Sequence, residues 1–214
     1  MLVHERMGKH PLTVKPDAPV DATLKRMKEE RIRRFPVVGD EGELVGIVSQ
    51  TDLLYAAPSP STSLSVYEMH YLYSRIEVSQ VMTEEVVTVE HDDPIEEAAR
   101  LMIDHRIGGL PVMRDGNLVG IITETDIFKA FMEMLGARDQ GVRLTVLCPD
   151  RRGELAALAN AVAELGGDII SVGTFWGEDA RSSLITIKVA NVDKDEIVER
   201  IKALVLEVVD VREV

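Results

Sequence analysis

The sequence predicts an α+β protein in which a duplicated unit of about 50 residues is followed by a C-terminal βαββαβ domain. Its 214 residues leave room for two or three small domains, at roughly 100 to 200 residues per domain. Two N-terminal segments align with each other, whereas the chain from Val142 onward follows a different pattern, alternating between strand-like and helix-like periods. We therefore expect a duplicated region followed by a ferredoxin-like domain.

The duplication pairs Met7 to Leu54 with Met82 to Phe128, with a single gap at Glu41. Roughly 18 of about 48 aligned positions are identical, which is far more than unrelated segments of this composition give. A unit of this size buries too little surface to be stable alone. We expect the two copies to pack face to face as a pseudo-two-fold pair.

Both copies predict the same succession of elements: a short strand, a proline-initiated amphipathic helix, a hairpin with a glycine-containing turn, and a second helix. In the first copy these are the strand Thr13-Val14, the helix Val20 to Arg31, the hairpin Phe35 to Val48 and a helix beginning near Asp52. In the second copy they are the strand Thr88-Val89, the helix Ile95 to His105, a hairpin turning at Asp115-Gly116 and a helix beginning near Asp126.

The segment between the copies has two parts. Ala56 to Ser65 is rich in Pro, Ser and Ala and predicts a loop, whereas Val66 to Ile76 predicts a bridging helix that carries Tyr67, Tyr71 and Leu72. The predicted boundaries are residues 1–57 for the first copy, 58–79 for the linker and bridging helix, 80–136 for the second copy and 142–214 for the C-terminal domain.

The C-terminal domain follows a polar link from Gly136 to Gly141. Its apolar periods predict four strands and two helices in the order βαββαβ. The strands are Val142 to Cys148, Asp168 to Trp176, Ser183 to Ala190 and Leu206 to Val211, and the helices are Gly153 to Leu165 and Asp195 to Leu204.

Composition disfavours several classes of partner. The chain has 24 Lys and Arg against 37 Asp and Glu, a formal net charge of −13, which repels nucleic-acid phosphates and anionic lipids. Its single cysteine, Cys148, cannot form an intramolecular disulfide and suits a reducing compartment. No run approaches the ~20 apolar residues of a membrane span, and the first six residues include the charged Glu5 and Arg6 where a signal peptide has its apolar stretch. We expect a soluble, cytoplasmic protein without nucleic-acid or membrane partners.

Each copy ends its hairpin in the pattern Gly-apolar-apolar-Ser/Thr-x-Thr-Asp, at a strand-to-helix junction. Helix amides and the hydroxyl of Ser49 or Thr123 can donate to a phosphate, and Asp52 or Asp126 can accept two ribose hydroxyls. This is the chemistry of a nucleoside-phosphate site. The same spacing also fits a capping box, which satisfies only the helix amides. Spacing alone leaves both interpretations open.

Catalytic motifs are missing from the sequence. Its five histidines show no i, i+4 pair and no metal-ligand spacing with Cys or Asp. There is no Walker loop, dinucleotide fingerprint or nucleophile elbow. Nucleotide binding without a hydrolytic apparatus favours a sensor over an enzyme, and we expect no metal site and no catalytic cofactor.

The duplicated unit resembles the CBS domain, whose pairs form Bateman modules. The residues that carry the resemblance are Pro36-Val37-Val38 with Gly46 to Asp52, and Pro111-Val112-Met113 with Gly120 to Asp126. The C-terminal domain resembles an ACT domain through Cys148 to Leu155 and the βαββαβ order. A CBS pair followed by an ACT domain at this length is similar to the acetoin-utilisation protein AcuB group.

The CBS resemblance implies a regulatory adenosyl ligand between the copies, either an adenine nucleotide (AMP, ADP or ATP) or S-adenosylmethionine. Its ribose would be held by the aspartates of the two motifs, and its base would lie against apolar chain. The implied contacts are Ser49, Thr51, Asp52, Thr123, Thr125 and Asp126 for ribose and phosphate, and Thr13, Val14, Ile32, Val37, Thr88, Val89, Ile107 and Val112 for the base.

The copies differ where the second strand begins, with Arg33-Arg34 in the first and Gly108-Gly109 in the second. We expect each pair to lie beside the cleft of its own copy. Arginine binds phosphate bidentately, so we expect the site with Arg33 and Arg34 to be the better nucleotide site. The alternative is that both arginines are solvated or paired with Glu29 and Glu30.

The ACT resemblance implies a second possible ligand, an amino acid bound at a subunit interface. The residues it involves are Asp150, Arg152, Gly153, Glu154, Leu155 and Asp168. Many amino-acid-binding ACT domains carry Asn at the position of Asp168, and a carboxylate there disfavours the acid end of the ligand. A purely dimerising ACT domain is therefore the favoured interpretation.

The leading hypothesis is a non-enzymatic regulator that binds an adenosyl ligand and signals to an unknown target protein. The resemblance also suggests a link to acetoin or butanediol catabolism. The alternative is an amino-acid sensor that acts through the ACT domain, with the CBS pair as a dimerising scaffold. In either case we expect at least a homodimer, because the apolar bridging segment would be costly to leave in water.

Overall fold

The computed structural model of the chain describes residues 1–56, 66–176 and 182–214. They form two compact units, Met1–Ile127 and Phe128–Val214. In these three stretches, no helix has both the length and the apolar character that crossing a membrane requires. The loop predicted at Ala56 to Ser65 lies, apart from Ala56, outside the described residues.

Each copy of the repeat has a helix, a hairpin and a second helix, and the first unit contains both copies except for the later part of the last helix, which continues into the second unit. The elements up to the end of the first copy are α1 (Val3–Arg6), β1 (Gly8–Lys9), α2 (Val20–Glu29), β2 (Arg34–Val38), β3 (Leu44–Ser49) and α3 (Gln50–Tyr55). They are followed by α4 (Val66–Tyr73), a 3-10 turn (Val78–Gln80), β4 (Val89–Glu90), α5 (Ile95–His105), β5 (Gly109–Arg114), β6 (Asn117–Thr123) and α6 (Glu124–Met134).

Helix α2 ends at Glu29, two residues before its predicted end. The cause is Arg31, whose φ of 56° is left-handed, a conformation that a right-handed helix cannot include. Arg106, the aligned residue of the second copy, has φ 55° and caps α5 directly after His105. Both copies therefore leave their first helix through the same left-handed arginine.

The strand predicted at Thr13-Val14 is reduced to one parallel bridge between Val14 and Val37. Pro11 and Pro16 flank this stretch, and proline has no N–H to extend a ladder. The second copy does form a strand there, β4, which pairs in parallel with β5. The bridging helix, predicted to reach Ile76, ends at Tyr73 as α4.

Each copy is completed by the segment that precedes the other copy. We name these segments leader 1 (residues 1–9) and leader 2 (residues 77–83). Bridges hold the two leaders in matching positions, from Leu2 to Pro94 and Gly8 to Ile121 for leader 1, and from Glu77 to Pro19 and Thr83 to Ile47 for leader 2. The leaders are thus exchanged between the copies, which ties the two copies into one folded unit.

The exchange is anchored by two valines at matching positions. Val3 of leader 1 and Val78 of leader 2 are both fully buried. The Val3 amide donates to the carbonyl of Asp93 at 3.0 Å, and the Val78 amide donates to the carbonyl of Ala18 at 2.9 Å. Val78 belongs to the apolar core of the first copy. Each leader therefore supplies core as well as backbone pairing to its host copy.

A glycine in each hairpin makes room for a methionine of the arriving leader. A Cβ on Gly46 would lie 2.5 Å from Met82 Sδ and 3.1 Å from Met82 Cγ, and a Cβ on Gly120 would overlap Met7 in the same way. Real Cβ atoms do not approach other atoms so closely. This contact explains the glycine in the shared Gly-apolar-apolar-Ser/Thr pattern.

The second unit is a ferredoxin-like βαββαβ domain, as predicted. Its elements after α6 are β7 (Val142–Pro149), α7 (Glu154–Glu164), β8 (Asp168–Trp176), β9 (Ser182–Ala190), α8 (Lys194–Lys202) and β10 (Glu207–Glu213). The antiparallel sheet has the order β10-β7-β9-β8, and its apolar residues pack with those of α7 and α8 in one core. Cys148 lies in this core, where burial, and secondarily Glu154, raises the pKa of its thiol.

Truncating Val3 tests the importance of the leader exchange. Because its side chain is fully buried, Val3→Ala should lower the free energy of unfolding by about 1 to 3 kcal/mol, through lost transfer energy and a residual cavity. The matched control is Val209→Ala, since Val209 is half exposed. Thermal unfolding followed by circular dichroism measures both changes. Equal, negligible shifts for the two variants would show that leader 1 contributes no core.

Candidate functional site

The copies enclose a cleft of about 570 Å³ between the ends of their hairpins. One wall comes from the first copy and includes its strand-to-helix junction. The other wall comes from the second copy and the chain leading into it. The lining residues are Arg33, Arg34, Ile47, Ser49, Gln50, Thr51, Asp52, Thr83, Glu85, Val86, Val87, His105, Arg106, Ile107, Gly108 and Gly109.

The junction of the first copy presents Asp52 to this cleft with one carboxylate oxygen already used. The amide of Ser49 donates to Asp52 Oδ2 at 2.7 Å, and the Asp52 amide donates to Ser49 Oγ at 3.3 Å. This is a capping box, so the structural interpretation of the motif is correct. The cap engages Oδ2 alone: within the described chain, no hydrogen bond to Asp52 Oδ1 is formed. The carboxylate can therefore cap α3 and still accept a ligand hydroxyl.

The junction of the second copy shares with the first the bond from the backbone amide to the aspartate, but its hydroxyl donates to the carboxylate, whereas the Ser49 hydroxyl accepts from a helix amide. The Thr123 amide and hydroxyl both donate to Asp126 Oδ2, at 3.0 Å and 2.6 Å. Thr123, Thr125 and Asp126 do not line the cleft that contains Asp52. The two predicted ribose sites are therefore separate places in the fold.

The opposite wall of the cleft includes an apolar patch. Val86, Val87 and Ile107 of the second copy face the space beside Asp52, and all three are partly buried. Of the predicted base-contacting residues, Ile107 is thus in the cleft. Sequence analysis did not select Val86 and Val87, because it selected the strand that follows them, Thr88 and Val89, instead of the chain leading into that strand.

The other residues predicted to contact the base lie elsewhere. Val37, Val89 and Val112 are buried core residues, Ile32 packs on the first-copy core, and Thr88 does not line the cleft. Thr13 and Val14 line a different pocket of about 300 Å³. The predicted contact set is therefore not assembled into one cavity.

Arg33 and Arg34 lie in the same cleft as Gly108 and Gly109. This arrangement differs from the expectation that each pair flanks the cleft of its own copy. Residues 34 and 109 are aligned positions of the repeat, and the pseudo-two-fold axis brings such positions together. A large residue from one copy therefore meets a glycine from the other.

The guanidinium of Arg34 rests on this glycine pair. A Cβ on Gly108 would lie 2.7 Å from Arg34 Nη2, and a Cβ on Gly109 would overlap Nη1 and lie 3.0 Å from Cζ. Burial lowers the pKa of Arg34; the Glu124 carboxylate opposes this shift and Arg33 adds to it. Nη1 is buried, and the described residues offer it no hydrogen-bond partner. Arg34 thus has one N–H group that no hydrogen bond within the described residues uses.

The cleft is also lined by two nitrogen-bearing side chains that sequence analysis did not select. They are His105 and Arg106, at the end of α5. The left-handed backbone at Arg106 turns the chain here. The alignment of the two repeats could have identified them, because Arg106 is the counterpart of Arg31. The pseudo-two-fold axis brings the ends of α2 and α5 to the hairpins.

The residues predicted to bind an amino acid fall into two places in the second unit. Asp150 to Leu155 follow β7, at the end of the sheet where Pro149 pairs with Ser182. Asp168 starts β8, where it pairs with Ala190 and accepts a hydrogen bond from Asn191 at 2.8 Å. Ser182 and Ala190 are eight residues apart along β9, a distance of roughly 26 Å in an extended strand. One chain therefore does not bring Asp168 together with the turn at Gly153.

Models of two known families match the chain. The model of the CBS domain matches residues 3–59 and 78–133, and the model of the TTHA0829-like ACT domain matches residues 140–212. The two CBS matches begin at Val3 and Val78, the buried valines of the exchanged leaders. The matched segments therefore contain the leaders as well as the hairpins.

Three solved structures are similar to the first part of the chain. A putative acetoin utilization protein (AcuB) from Vibrio cholerae is 31% identical with a TM-score of 0.53, covering 64% of this chain and 95% of that one. CBSX2 in complex with AMP is 31% identical with a TM-score of 0.51, covering 61% and 96%. The CBS domain pair of protein MJ0100 with 5-methylthioadenosine and S-adenosyl-L-methionine is 26% identical with a TM-score of 0.52, covering 65% and 98%. Similar CBS pairs therefore bind adenosyl ligands.

A double-mutant cycle tests the contact between Arg34 and Gly109. Gly109→Ala should destabilise the protein, because the new methyl group displaces the guanidinium, and it should destabilise the Arg34→Ala background less. We expect a coupling free energy of about 0.5 to 2 kcal/mol from urea denaturation. Gly8→Ala is the control, since a Cβ there meets its neighbours at 3.6 Å or more. Equal costs of Gly109→Ala in both backgrounds would contradict the contact.

Proposed function

Since the chain belongs to the family of CBS-domain proteins and carries a C-terminal ACT domain, we propose that it is a non-enzymatic regulator that binds an adenine nucleotide between its CBS repeats. The observation that carries this proposal is the composite cleft, which is lined by Asp52 of one repeat, by an apolar patch of the other, and by arginines of both. The complexes of similar CBS pairs with AMP and with S-adenosyl-L-methionine support the adenosyl class of ligand.

Each part of a nucleotide finds suitable chemistry in this cleft. A purine ring is flat and apolar on its faces, and it fits between the side chains of Val86, Val87 and Ile107. Asp52 Oδ1 can accept hydrogen bonds from ribose hydroxyls while Oδ2 keeps the helix cap. The cleft volume of about 570 Å³ falls within the range of small-molecule sites, roughly 300 to 1,000 Å³.

Positively charged side chains line the cleft, although the protein as a whole has a negative net charge. The chain has a net charge of −13, yet Arg33, Arg34 and Arg106 line the cleft against the carboxylates of Asp52 and Glu85. A phosphate needs local cations in such a protein, and arginine binds phosphate bidentately. Arg33, Arg34 and Arg106 supply these cations to the cleft.

Replacing Arg33 and Arg34 together with alanine separates a phosphate contact from a structural role. The double variant should lose at least about tenfold affinity for AMP while binding uncharged adenosine nearly as before, because only AMP uses the charge-assisted hydrogen bonds. Calorimetry at fixed salt measures both ligands. Arg100→Ala is the matched control, since Arg100 is paired with Glu97 and Asp104 on the exposed face of α5.

Asp52→Asn completes this experiment. Asparagine still caps a helix, but it lacks the charge that favours two ribose hydroxyls, so AMP and adenosine should weaken alike. A double arginine variant that loses equal affinity for AMP and adenosine would contradict the assignment of the phosphate. Unchanged binding of both ligands in Asp52→Asn would contradict the assignment of the ribose.

We also propose that the protein self-associates through the exposed face of α4. Tyr67 is 84% exposed and Tyr71 and Leu72 are about half exposed, so this short helix presents an apolar surface. A second copy of the chain is the occupant, because CBS pairs and ACT domains both tend to dimerise and the chain carries one of each.

Light scattering at micromolar concentration tests the dimer. We expect twice the monomer mass of 23.7 kDa, and a shift towards monomer in Tyr67→Glu/Leu72→Glu, because two buried charges oppose association. The control is Leu54→Glu, which places a charge on another exposed leucine. A monomeric native protein would refute the dimer.

The finer parts of the function rest on resemblance. The similarity to an AcuB protein supports a role in acetoin or butanediol catabolism, exerted through a target protein in the cytoplasm. Amino-acid sensing by the ACT domain is the alternative. A thermal-shift panel of AMP, ADP, ATP, S-adenosylmethionine and amino acids distinguishes the two, because a ligand that binds the native state raises its stability.

A further inference from the structure

A further cavity of about 370 Å³ lies where leader 1 crosses the second repeat. Its lining consists of five nitrogen-bearing side chains and two apolar ones, with no carboxylate among them. The lining residues are His4, Met7, Lys9, His10, His91, Arg114 and Val119. Three of the five histidines in the chain are thus gathered at one place.

The pseudo-two-fold axis supplies an internal comparison for this cavity. The counterparts of its nitrogen-bearing residues in the first repeat follow from the alignment: Ser79 for His4, Glu84 for Lys9, Glu85 for His10, Pro16 for His91 and Gly39 for Arg114. The counterpart therefore has no cation at any of the five positions and two carboxylates instead. Because both repeats fold alike, the fold itself does not require the cationic set.

The cations of the cavity are weakly neutralised by their neighbours. Arg114 Nε lies 3.6 Å from Asp115 Oδ2, and His91 Nδ1 lies 3.6 Å from Asp92 Oδ1. Both carboxylates are largely exposed, and exposed pairs of this kind contribute little. His91 Nδ1 is buried, and the described part of the chain provides no hydrogen bond to it. The cavity therefore keeps donors available for a ligand.

The histidines are held in place by the leader exchange. His4 Nδ1 lies 3.0 Å from the carbonyl oxygen of His91, so it must be the donor of that bond. The two rings are 5.8 Å apart between centroids. The same exchange that builds the core thus places leader 1 cations beside those of the second repeat.

We propose that this cavity is a binding site for a small multivalent anion, bearing phosphate or carboxylate groups, that is separate from the nucleotide cleft. Arg114 can hold an oxyanion bidentately and Lys9 adds a point charge. The imidazoles add N–H donors. The volume lies at the lower end of the range for ligand sites, which suits a compact ligand.

The test uses the residues that the chain itself places in the other repeat. Lys9→Glu/Arg114→Gly copies Glu84 and Gly39, so the variant should fold. Pyrophosphate and citrate, titrated by calorimetry at pH 6.5 and low salt, represent phosphate and carboxylate ligands. We expect at least one of them to bind the native protein at one site per chain, with at least about tenfold loss in the double variant.

Two further variants make the outcome decisive. Lys25→Glu has the same charge change as Lys9→Glu at an exposed lysine paired with Glu29, and it should bind like the native protein. Arg33→Ala/Arg34→Ala should also retain the anion, because those arginines line the other cleft. Loss of anion binding in that variant but not in Lys9→Glu/Arg114→Gly, or failure of both probes to bind the native protein, would overturn the proposal.

Discussion

The reciprocal exchange of leaders is the contact on which the first unit depends. Val3 precedes the first repeat but is buried in the second. Val78 precedes the second repeat but is buried in the first. A repeat of about 50 residues cannot bury enough surface alone, and here each one receives a core residue and a strand pairing from the other. The exchange makes the two repeats a single cooperative structure and fixes the cleft between them.

Because the exchange is symmetric, equivalent positions of the two repeats meet near the pseudo-two-fold axis. At the axis, identical large residues would collide and identical charges would repel each other. The chain resolves this at residues 34 and 109, where an arginine lies on a glycine. The asymmetry leaves one arginine, partly buried beside Glu124, directed at the cleft.

A comparison of the two repeats distinguishes residues that the fold requires from residues that it does not require. The glycines at 46 and 120, each beside a leader methionine, are identical because the fold needs both. The cations around His91 and Arg114 have no counterparts in the first repeat, so folding does not explain them. Residues that differ between the two repeats therefore indicate binding sites, whereas residues that are identical in both indicate packing contacts.

Sequence reasoning predicted the elements well where local signals decide them. The proline before α5 and the left-handed residue after it bound this helix as expected, and the hairpins follow their turn residues. The leader exchange was missed because alternating patterns show which residues are buried but not by which partner. The same gap selected Val37, which is a core residue, and left out Val86 and Val87, which line the cleft. Asp168 was grouped with Gly153 for a related reason, since sequence distance does not show that β8 begins at the far end of the sheet.

The central claim is that one adenosyl ligand is bound by both repeats together. A crystal structure of the protein with AMP tests it most directly. We expect the ribose within hydrogen-bond distance of Asp52 Oδ1 and the adenine against Ile107 and Val87 of the other repeat. AMP bound instead within one repeat, in the pocket lined by Thr13 and Lys15, would contradict the claim.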